Sequence, residues 1–338
     1  MTTRYSEIAG SAVTATARAG RGNDLLRSAA DLVVSWIMPL IVVVMMVYFS
    51  LTTETFLTAD NLSALLTQNA ATFVVAAVAG MLLMAGYVDL SLGSTLALSG
   101  VAAGLAFNAY GPTAGVLVGL AVGLFVGVVN GGLIGVLGLS PIVVTLGGLA
   151  AGRAMALYMS PDQIYGFPRA VGAFAAGDLF GISYIGWIAI VVSAVAIFVM
   201  TMLPIGRKIQ GIGDNSRAAF LVGIRVKPTI FGLYAVLGIV VGLAALLQIA
   251  RLDSAPSGTL GVGFEVTILT AVLLGGVPFT GGRGSLWRVL LGVWLLAVLR
   301  NGLTLLNYGP EIAGMVTGGV LVFAAGLQAI TVAARRRG

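Results

Sequence analysis

Residues 112–136, PTAGVLVGLAVGLFVGVVNGGLIGV, run for 25 positions without a charged side chain. About 20 predominantly apolar residues suffice to cross the hydrocarbon core of a bilayer as an α-helix. A helix also satisfies within itself the backbone polar groups that lipid cannot. The stretch therefore predicts a membrane-spanning helix. Gly115, Gly119, Gly123 and Gly127 recur every fourth residue and fall on one face. Such a face lets a second backbone approach closely, so the spacing speaks of packing and says nothing of a solute.

The rest of the chain agrees with this stretch. Of 338 residues 59% are hydrophobic, a tally that omits the 48 glycines, and only 9% are charged. A soluble domain cannot cover so much apolar surface with so few polar residues, which excludes soluble enzymes, nucleic-acid binders and disordered tails. Apolar stretches at 33–52, 69–87, 92–109, 112–136, 141–159, 183–203, 229–250, 263–277, 286–306 and 312–333 predict an all-α polytopic membrane protein of about ten transmembrane helices. Residues 55–68 read as an interfacial segment leading into the second helix. The organisation expected is an N-terminal cytoplasmic tail over 1–31, a transmembrane domain over 32–333 with a polar loop at 204–228, and a basic cytoplasmic tail over 334–338. Residues 1–30 read as tail and not as a signal peptide, because they contain no apolar run.

Ten crossings with both termini cytoplasmic can be tested against charge. Arg4, Arg18, Arg21, Arg27, Arg207, Lys208, Arg217, Arg225, Lys227, Arg283, Arg288, Arg335, Arg336 and Arg337 then lie inside, fourteen of the 18 basic residues. Arg153, Arg169, Arg251 and Arg300 are left for the outer half. This asymmetry is the one the positive-inside rule requires, so the net charge of +6 reports topology. The chain also resembles itself. Asn130-Gly131 followed by Thr145-Leu146-Gly147-Gly148 matches Asn301-Gly302 followed by Thr317-Gly318-Gly319. Ala85-Gly86 through Gly93-Ser94 matches Gly275-Gly276 through Gly284-Ser285. Five crossings per half would make the two repeats inverted, a common transporter plan; chance likeness between Gly-rich segments is the plainer alternative.

The residue types present limit the chemistry. Without His or Cys there is no imidazole base, thiol nucleophile or zinc site of those ligands, and a proton relay is poorly supplied. No G-x-x-x-x-G-K-[ST] occurs, so the chain cannot cradle ATP by itself. In the loop at 204–228, Asp214 or Asn215 can cap a short helix that Gly223 closes. Its apolar Ala218, Ala219, Leu221 and Val222 suit docking into a groove on another protein, or equally an amphipathic loop on the membrane surface. Ionisable groups at membrane depth need partners. Asp89 is placed to cap a helix starting at Ser91, and Glu265 opens the eighth helix; these two with Ser91 and Gly93 form a structural or gating set. Arg153 and Arg300 are placed to snorkel to the outer interface. Candidates for lining a pathway, neither charged nor fully apolar, are Gln68, Asn69, Met84, Asn130, Thr145 and Asn301, the amides among them being equally suited to interhelical hydrogen bonds.

Four blocks in order carry a resemblance: Asp89-Leu90-Ser91-Leu92-Gly93-Ser94; Asn130-Gly131 with Pro141-Ile142-Val143-Val144-Thr145-Leu146-Gly147; Gly211-Ile212-Gly213-Asp214-Asn215-Ser216-Arg217-Ala218-Ala219; and Gly275-Gly276 through Gly281-Gly282-Arg283-Gly284-Ser285. Over roughly residues 40–333 the chain resembles the permease subunits of bacterial ABC sugar importers of the ribose, xylose and galactose type, whose broad family includes branched-chain amino-acid permeases. The resemblance implies a non-catalytic subunit of the bacterial inner membrane that binds no cofactor, ATP and Mg being used by a partner ATPase. It implies ABC ATPase subunits, an extracytoplasmic solute-binding protein and a second permease subunit as partners. It also implies that Gly211, Gly213, Asp214, Asn215, Ser216, Arg217, Ala218 and Ala219 form the ATPase-coupling segment, and that loops 160–182 and 251–262 face the binding protein. The chain departs from the family's pattern before Asp89, before Gly275 and at Pro278. A monosaccharide is the solute implied; a branched-chain amino acid, a nucleoside, or ion-coupled transport or a passive channel without an ATPase are the alternatives.

Overall fold

The computed structural model describes residues 38–309 and 311–320, with positions 322 and 326. The tails at 1–31 and 334–338, and the arginines in them, lie outside the described residues. The elements are α1 (Met38–Thr52), α2 (Ala59–Met84), α3 (Leu92–Tyr110), α4 (Pro112–Gly131), α5 (Pro141–Met159), α6 (Arg169–Ala176), the two-residue strands β1 (Asp178–Leu179) and β2 (Ile182–Ser183), α7 (Tyr184–Met202), α8 (Pro204–Asp214), α9 (Ser216–Leu221), α10 (Val226–Leu252), α11 (Phe264–Leu274), α12 (Leu286–Leu305) and α13 (311–320). Seven of the described helices are long and apolar enough to cross a membrane; α1 and α11 are shorter apolar helices. The chain is an all-α polytopic membrane protein.

Helices α2 and α3 are mostly buried, whereas α5 is the least buried of the described spanning helices. The glycine stripe of α4 meets α10, which carries its own pair, Gly238 and Gly242. A methyl group on Gly123 would overlap the carbonyl of Gly238, and one on Gly238 would overlap the carbonyl of Gly123. One on Gly242 would lie 2.6 Å from the Gly119 carbonyl oxygen. The two backbones therefore touch directly over two turns. Beyond Gly131 the helix widens into a π-turn, Gly132–Val136, whose Val136 carbonyl accepts from Lys227 Nζ at 3.0 Å.

Two expected boundaries are corrected. The second helix begins at Ala59, so residues 59–68 are its first turns and not an interfacial segment. Thr58 caps it, accepting from the Asn61 N–H. The eighth helix is only 11 residues, about 16 Å at 1.5 Å per residue, because the loop before it runs back into the bundle: Gly261 packs against Gly93 at the start of α3.

The repeat is mixed in its geometry. Thr145 and Thr317 are both buried and both donate to the carbonyl four residues earlier, at 2.7 Å. Asn130 lies toward the C-terminal end of α2, beside Asp89, while Asn301 lies at its N-terminal end, bonded to Asn61. Those two segments sit at opposite ends of the bundle, as inversion requires. The segments 85–94 and 275–285 instead touch one another at a single end, where a methyl on Gly281 would lie 2.6 Å from the Gly86 nitrogen. That second pair lends inversion no support.

Candidate functional site

The break between α2 and α3 holds a buried polar knot. Asp89 Oδ1 accepts from the Ser91 N–H at 2.7 Å and from Ser91 Oγ at 2.6 Å, and Asn130 Nδ2 donates to Asp89 Oδ2 at 3.3 Å and to Ser91 Oγ at 3.0 Å. Ser94 Oγ donates to the Gly148 carbonyl of α5 at 3.1 Å, and the Tyr234 hydroxyl donates to the Val88 carbonyl at 2.8 Å. α3 starts at Leu92, so Asp89 does not cap the helix as expected; it closes a turn onto Ser91, the residue just before the helix. Gly148 and Gly152 of α5 leave room for Ser91 and Ser94. The first two sequence blocks thus form one junction of α3, α4, α5 and α10. Thr145 lies on the buried side of α5, and a methyl on Gly147 would meet nothing.

A second junction forms where α2 ends. The Met84 carbonyl accepts from the Gly282 N–H at 2.8 Å. Gly213, near the end of α8, packs so closely that a methyl on it would overlap the Met84 carbonyl oxygen and the Gly282 nitrogen. Gly282 in turn has room for only a hydrogen beside Asp214, whose Cα would lie 2.8 Å from a methyl there. Its φ of +78° is also one that glycine adopts at no steric cost. Gln210 Nε2 donates to the Gly284 carbonyl at 3.3 Å. This joins the end of α2 to the third and fourth blocks, largely through backbone contacts.

The polar loop contains two helices where one was expected. α8 buries Gly206, Ile209 and Ile212 and exposes Arg207 and Lys208. The chain then turns at Asn215, whose Oδ1 accepts from the Ala218 N–H at 2.9 Å and caps α9. Gly223, at φ +87°, closes it. Gly211 and Gly213 are half-buried, and Asp214, Asn215, Ser216, Arg217 and Ala218 are exposed. Ala219 turns inward, 4% exposed, while Phe220, Leu221 and Val222 are 68%, 77% and 77% exposed. Phe220 was missing from the sequence-based set. The signal for it was present: an aromatic residue on a six-residue helix with only one side turned toward the protein.

The lead-in to α11 gathers charge inside the bundle. Glu265 is in the first turn of α11, and its Oε2 is buried beside Gly93 without a hydrogen-bond partner among the described residues. Arg153 Nη1 donates to the Leu260 carbonyl at 2.6 Å, and Arg300 Nη2 donates to Thr267 Oγ1 at 3.0 Å. Both arginines hold α11 and its loop by these bonds. Loops 160–182 and 251–262 are joined: Ile164 and Ala255 exchange backbone bonds, and Gln163 Nε2 donates to Ser254 Oγ at 2.8 Å.

The six pathway candidates are not brought together. Gln68 is exposed and lines a cleft of about 600 Å³ with Asp60, Ser63, Ala64, Thr67, Asp178, Gly181 and Arg251. Asn69 Nδ2 donates to the Leu65 carbonyl at 2.8 Å, and Asn301 pairs with Asn61 in two 3.0 Å bonds. Asn130 belongs to the Asp89 knot, and Met84 and Thr145 are fully buried. Among the described residues no three His, Cys, Asp or Glu side chains gather to hold a metal.

Residues 61–325 match the family described as branched-chain amino acid transport system / permease component. The chain is 31% identical over 292 residues to the D-allose transport system permease protein of Escherichia coli K12, covering 86% of this chain and 89% of that one. It is 33% identical to the ribose import permease protein of Bacillus subtilis, covering 83% and 88%, and 30% identical to the galactose/methyl galactoside import permease protein of Salmonella typhimurium, covering 83% and 90%. No solved structure matches the chain.

Proposed function

Because the chain belongs to the family of branched-chain amino acid transport system permease components, we propose that it is the membrane subunit of an ATP-driven importer of a monosaccharide. Relatives named for D-allose, ribose and galactose transport, matched over most of their length, support the sugar. The chain performs no catalysis: ATP is hydrolysed by a separate subunit, and this chain forms the path. The charge asymmetry supports ten crossings of an inner membrane with the α8–α9 end in the cytoplasm, and the Asn130 and Asn301 segments support an inverted repeat.

The observation that carries the mechanism is the junction of Gly213, Gly282 and Met84 beneath an exposed α9. Phe220, Leu221 and Val222 form an apolar knob suited to a groove on the ATPase. A displacement of α9 passes through α8, which has no compressible side-chain layer at Gly213, to α2 and to the segment leading into α12. Movement at the cytoplasmic end thereby becomes rearrangement of the central helix, as alternating access requires. α5 exposes Gly147, Ala150, Ala151 and Ala154 on the side away from Thr145, a small-residue face that suits a second permease subunit, with the solute path between the two. The joined outer loops then face the solute-binding protein.

Replacing residues 214–219 by a flexible linker tests this reading. ATPase subunits should cease to co-purify while the chain still inserts; undiminished co-purification refutes it. Accumulation of solute down an ion gradient by the chain reconstituted without an ATPase would establish the ion-coupled alternative.

A further inference from the structure

We propose that the β1–β2 hairpin is a lipid anchor, with Leu179 and Phe180 seated at the boundary between headgroups and acyl chains. α7 follows the hairpin and runs into α8 at its other end, so the monolayer concerned is the one away from the α8–α9 loop.

α7 places the boundary. Its 19 residues span about 28 Å at 1.5 Å per residue, so the whole helix is needed to cross a hydrocarbon core of about 30 Å. Tyr184, its first residue, therefore stands at the edge of the core, and Trp187 about 4.5 Å further in. Tyr184, Val191, Val195, Phe198 and Met202 are exposed. With the half-buried Trp187 they recur every three or four residues, which puts them on one face of the helix. That face carries no charge and looks onto lipid. α7 packs on α2 and α12, while the small-residue face offered to a second subunit belongs to α5, which packs on α3.

The hairpin folds back along the lipid face instead of projecting into water. Trp187 Nε1 donates to the Leu179 carbonyl at 2.9 Å, so β1 lies level with the first turn of α7. The Tyr184 N–H donates to the Gly177 carbonyl at 3.0 Å, and a methyl on Gly177 would overlap the Tyr184 ring. Phe174 sets its ring 6.1 Å from that of Tyr184. Thr67 Oγ1 and Ser183 Oγ share a 2.6 Å hydrogen bond, which ties the same hairpin to α2.

The residue at the tip supports the same occupant. Leu179 pairs with Ile182, leaving Phe180 and Gly181 as a two-residue loop with φ of +56° and +76°. Two positive φ values make a turn whose first position suits Asn, Asp or Gly, and for a bulky residue that conformation is an outlier. Phe180 occupies it and is 88% exposed, with Leu179 49% exposed beside it. In water the side chain gains nothing for that strain; at the bilayer boundary its ring leaves water. Asp178 lines the cleft on the side of α2 instead. Of the loop 160–182, expected to face a solute-binding protein, the tip is thereby assigned to lipid.

The chain has no Cys, so single nitroxide labels report one site each. Leu179→Cys, Phe180→Cys and, as a water-facing control, Asp162→Cys in the exposed bend after α5 are labelled in the full-length chain, one chain per phosphatidylcholine nanodisc. Oxygen concentrates in lipid and a nickel chelate stays in water. The oxygen-to-nickel ratio of collision rates should be severalfold higher at 179 and 180 than at 162. Adding Phe180→Asn, which suits the turn, to labelled Leu179→Cys should lower the ratio at 179 severalfold while the unfolding midpoint does not fall. Ratios at 179 and 180 equal to that at 162 overturn the proposal, because the tip is then in water and open to a soluble partner. Labels shielded from both reagents overturn it as well, since the tip is then packed on protein. A ratio at 179 that Phe180→Asn leaves unchanged removes Phe180 as the anchor and also overturns it.

Discussion

A single methyl group added at Gly213 should uncouple the α8–α9 unit from the membrane helices. In Gly213→Ala the new carbon overlaps the Met84 carbonyl oxygen and the Gly282 nitrogen, both backbone atoms that cannot rotate aside. Accommodating it requires α8 to withdraw, at about 1–3 kcal/mol for forced overpacking. About 1–3 kcal/mol lowers the docked-to-undocked ratio of α8 by roughly 5-fold to 150-fold. Gly211→Ala, two residues earlier on the same helix, is the control. There the methyl meets only Ile224 Cδ1 at 3.8 Å, and alanine is favoured over glycine in a helix by up to about 1 kcal/mol. Gly213→Ala should abolish ATP-driven uptake in proteoliposomes and lose hydrogen-exchange protection at the Gly282 amide, and Gly211→Ala should do neither. Equal uptake and equal protection in the two variants would refute the reasoning.

Three further outcomes are expected. Asp89→Ala leaves the Ser91 N–H, the Ser91 hydroxyl and the Asn130 amide without their acceptor, and should lower stability by about 2–5 kcal/mol, read as a drop in the unfolding midpoint in detergent. Asn215→Ala removes the cap on α9 and should cost that helix about 1 kcal/mol; ATPase co-purification should weaken and return in Asn215→Ser. Gly123→Ile forces a branched side chain into the Gly238 carbonyl and should prevent α4 from seating on α10, seen as failure to recover folded protein, whereas Gly147→Ala, where a methyl meets nothing, should express normally.

What was legible in the sequence depended on how local its cause was. The α4 stripe could be read because its four glycines lie on one helix, and apolar length alone marked α5, which was expected at 141–159 and runs from Pro141 to Met159. The cap at Asn215 and the stop at Gly223 were readable for the same reason. The start of α2 was missed because Asp60, Asn61, Ser63, Thr67 and Gln68 interrupt the apolar pattern. Four of those five line the cleft, so the polarity that concealed the helix is the polarity of its open face. The inward loop before α11 and the meeting of Gly213 with Gly282 were not readable, since each depends on backbones brought together from segments tens of residues apart. The pathway candidates were chosen by polarity, which does not distinguish an amide that faces a cavity from one closed on a partner. Gln68 faces the cleft; Asn130 and Asn301 are closed on partners.

The contact between α4 and α10 has a mechanical consequence. Ordinary helix pairs slide by small repacking of interdigitated side chains, and such shear is one way transporters and enzymes move. Here the carbonyls of Gly119, Gly123 and Gly238 press on the opposite backbone with no side chain between. An axial slip of one residue would bring valine, leucine or alanine side chains where only hydrogens fit. The pair therefore behaves as a stiff strut running the depth of the membrane, and the strain of a transport cycle must be taken up elsewhere. The parts left to yield are the short α11, the bend before α3 and the turn at Asn215. The glycine stripe that announced a spanning helix thus also marks the portion of the machine that stays still.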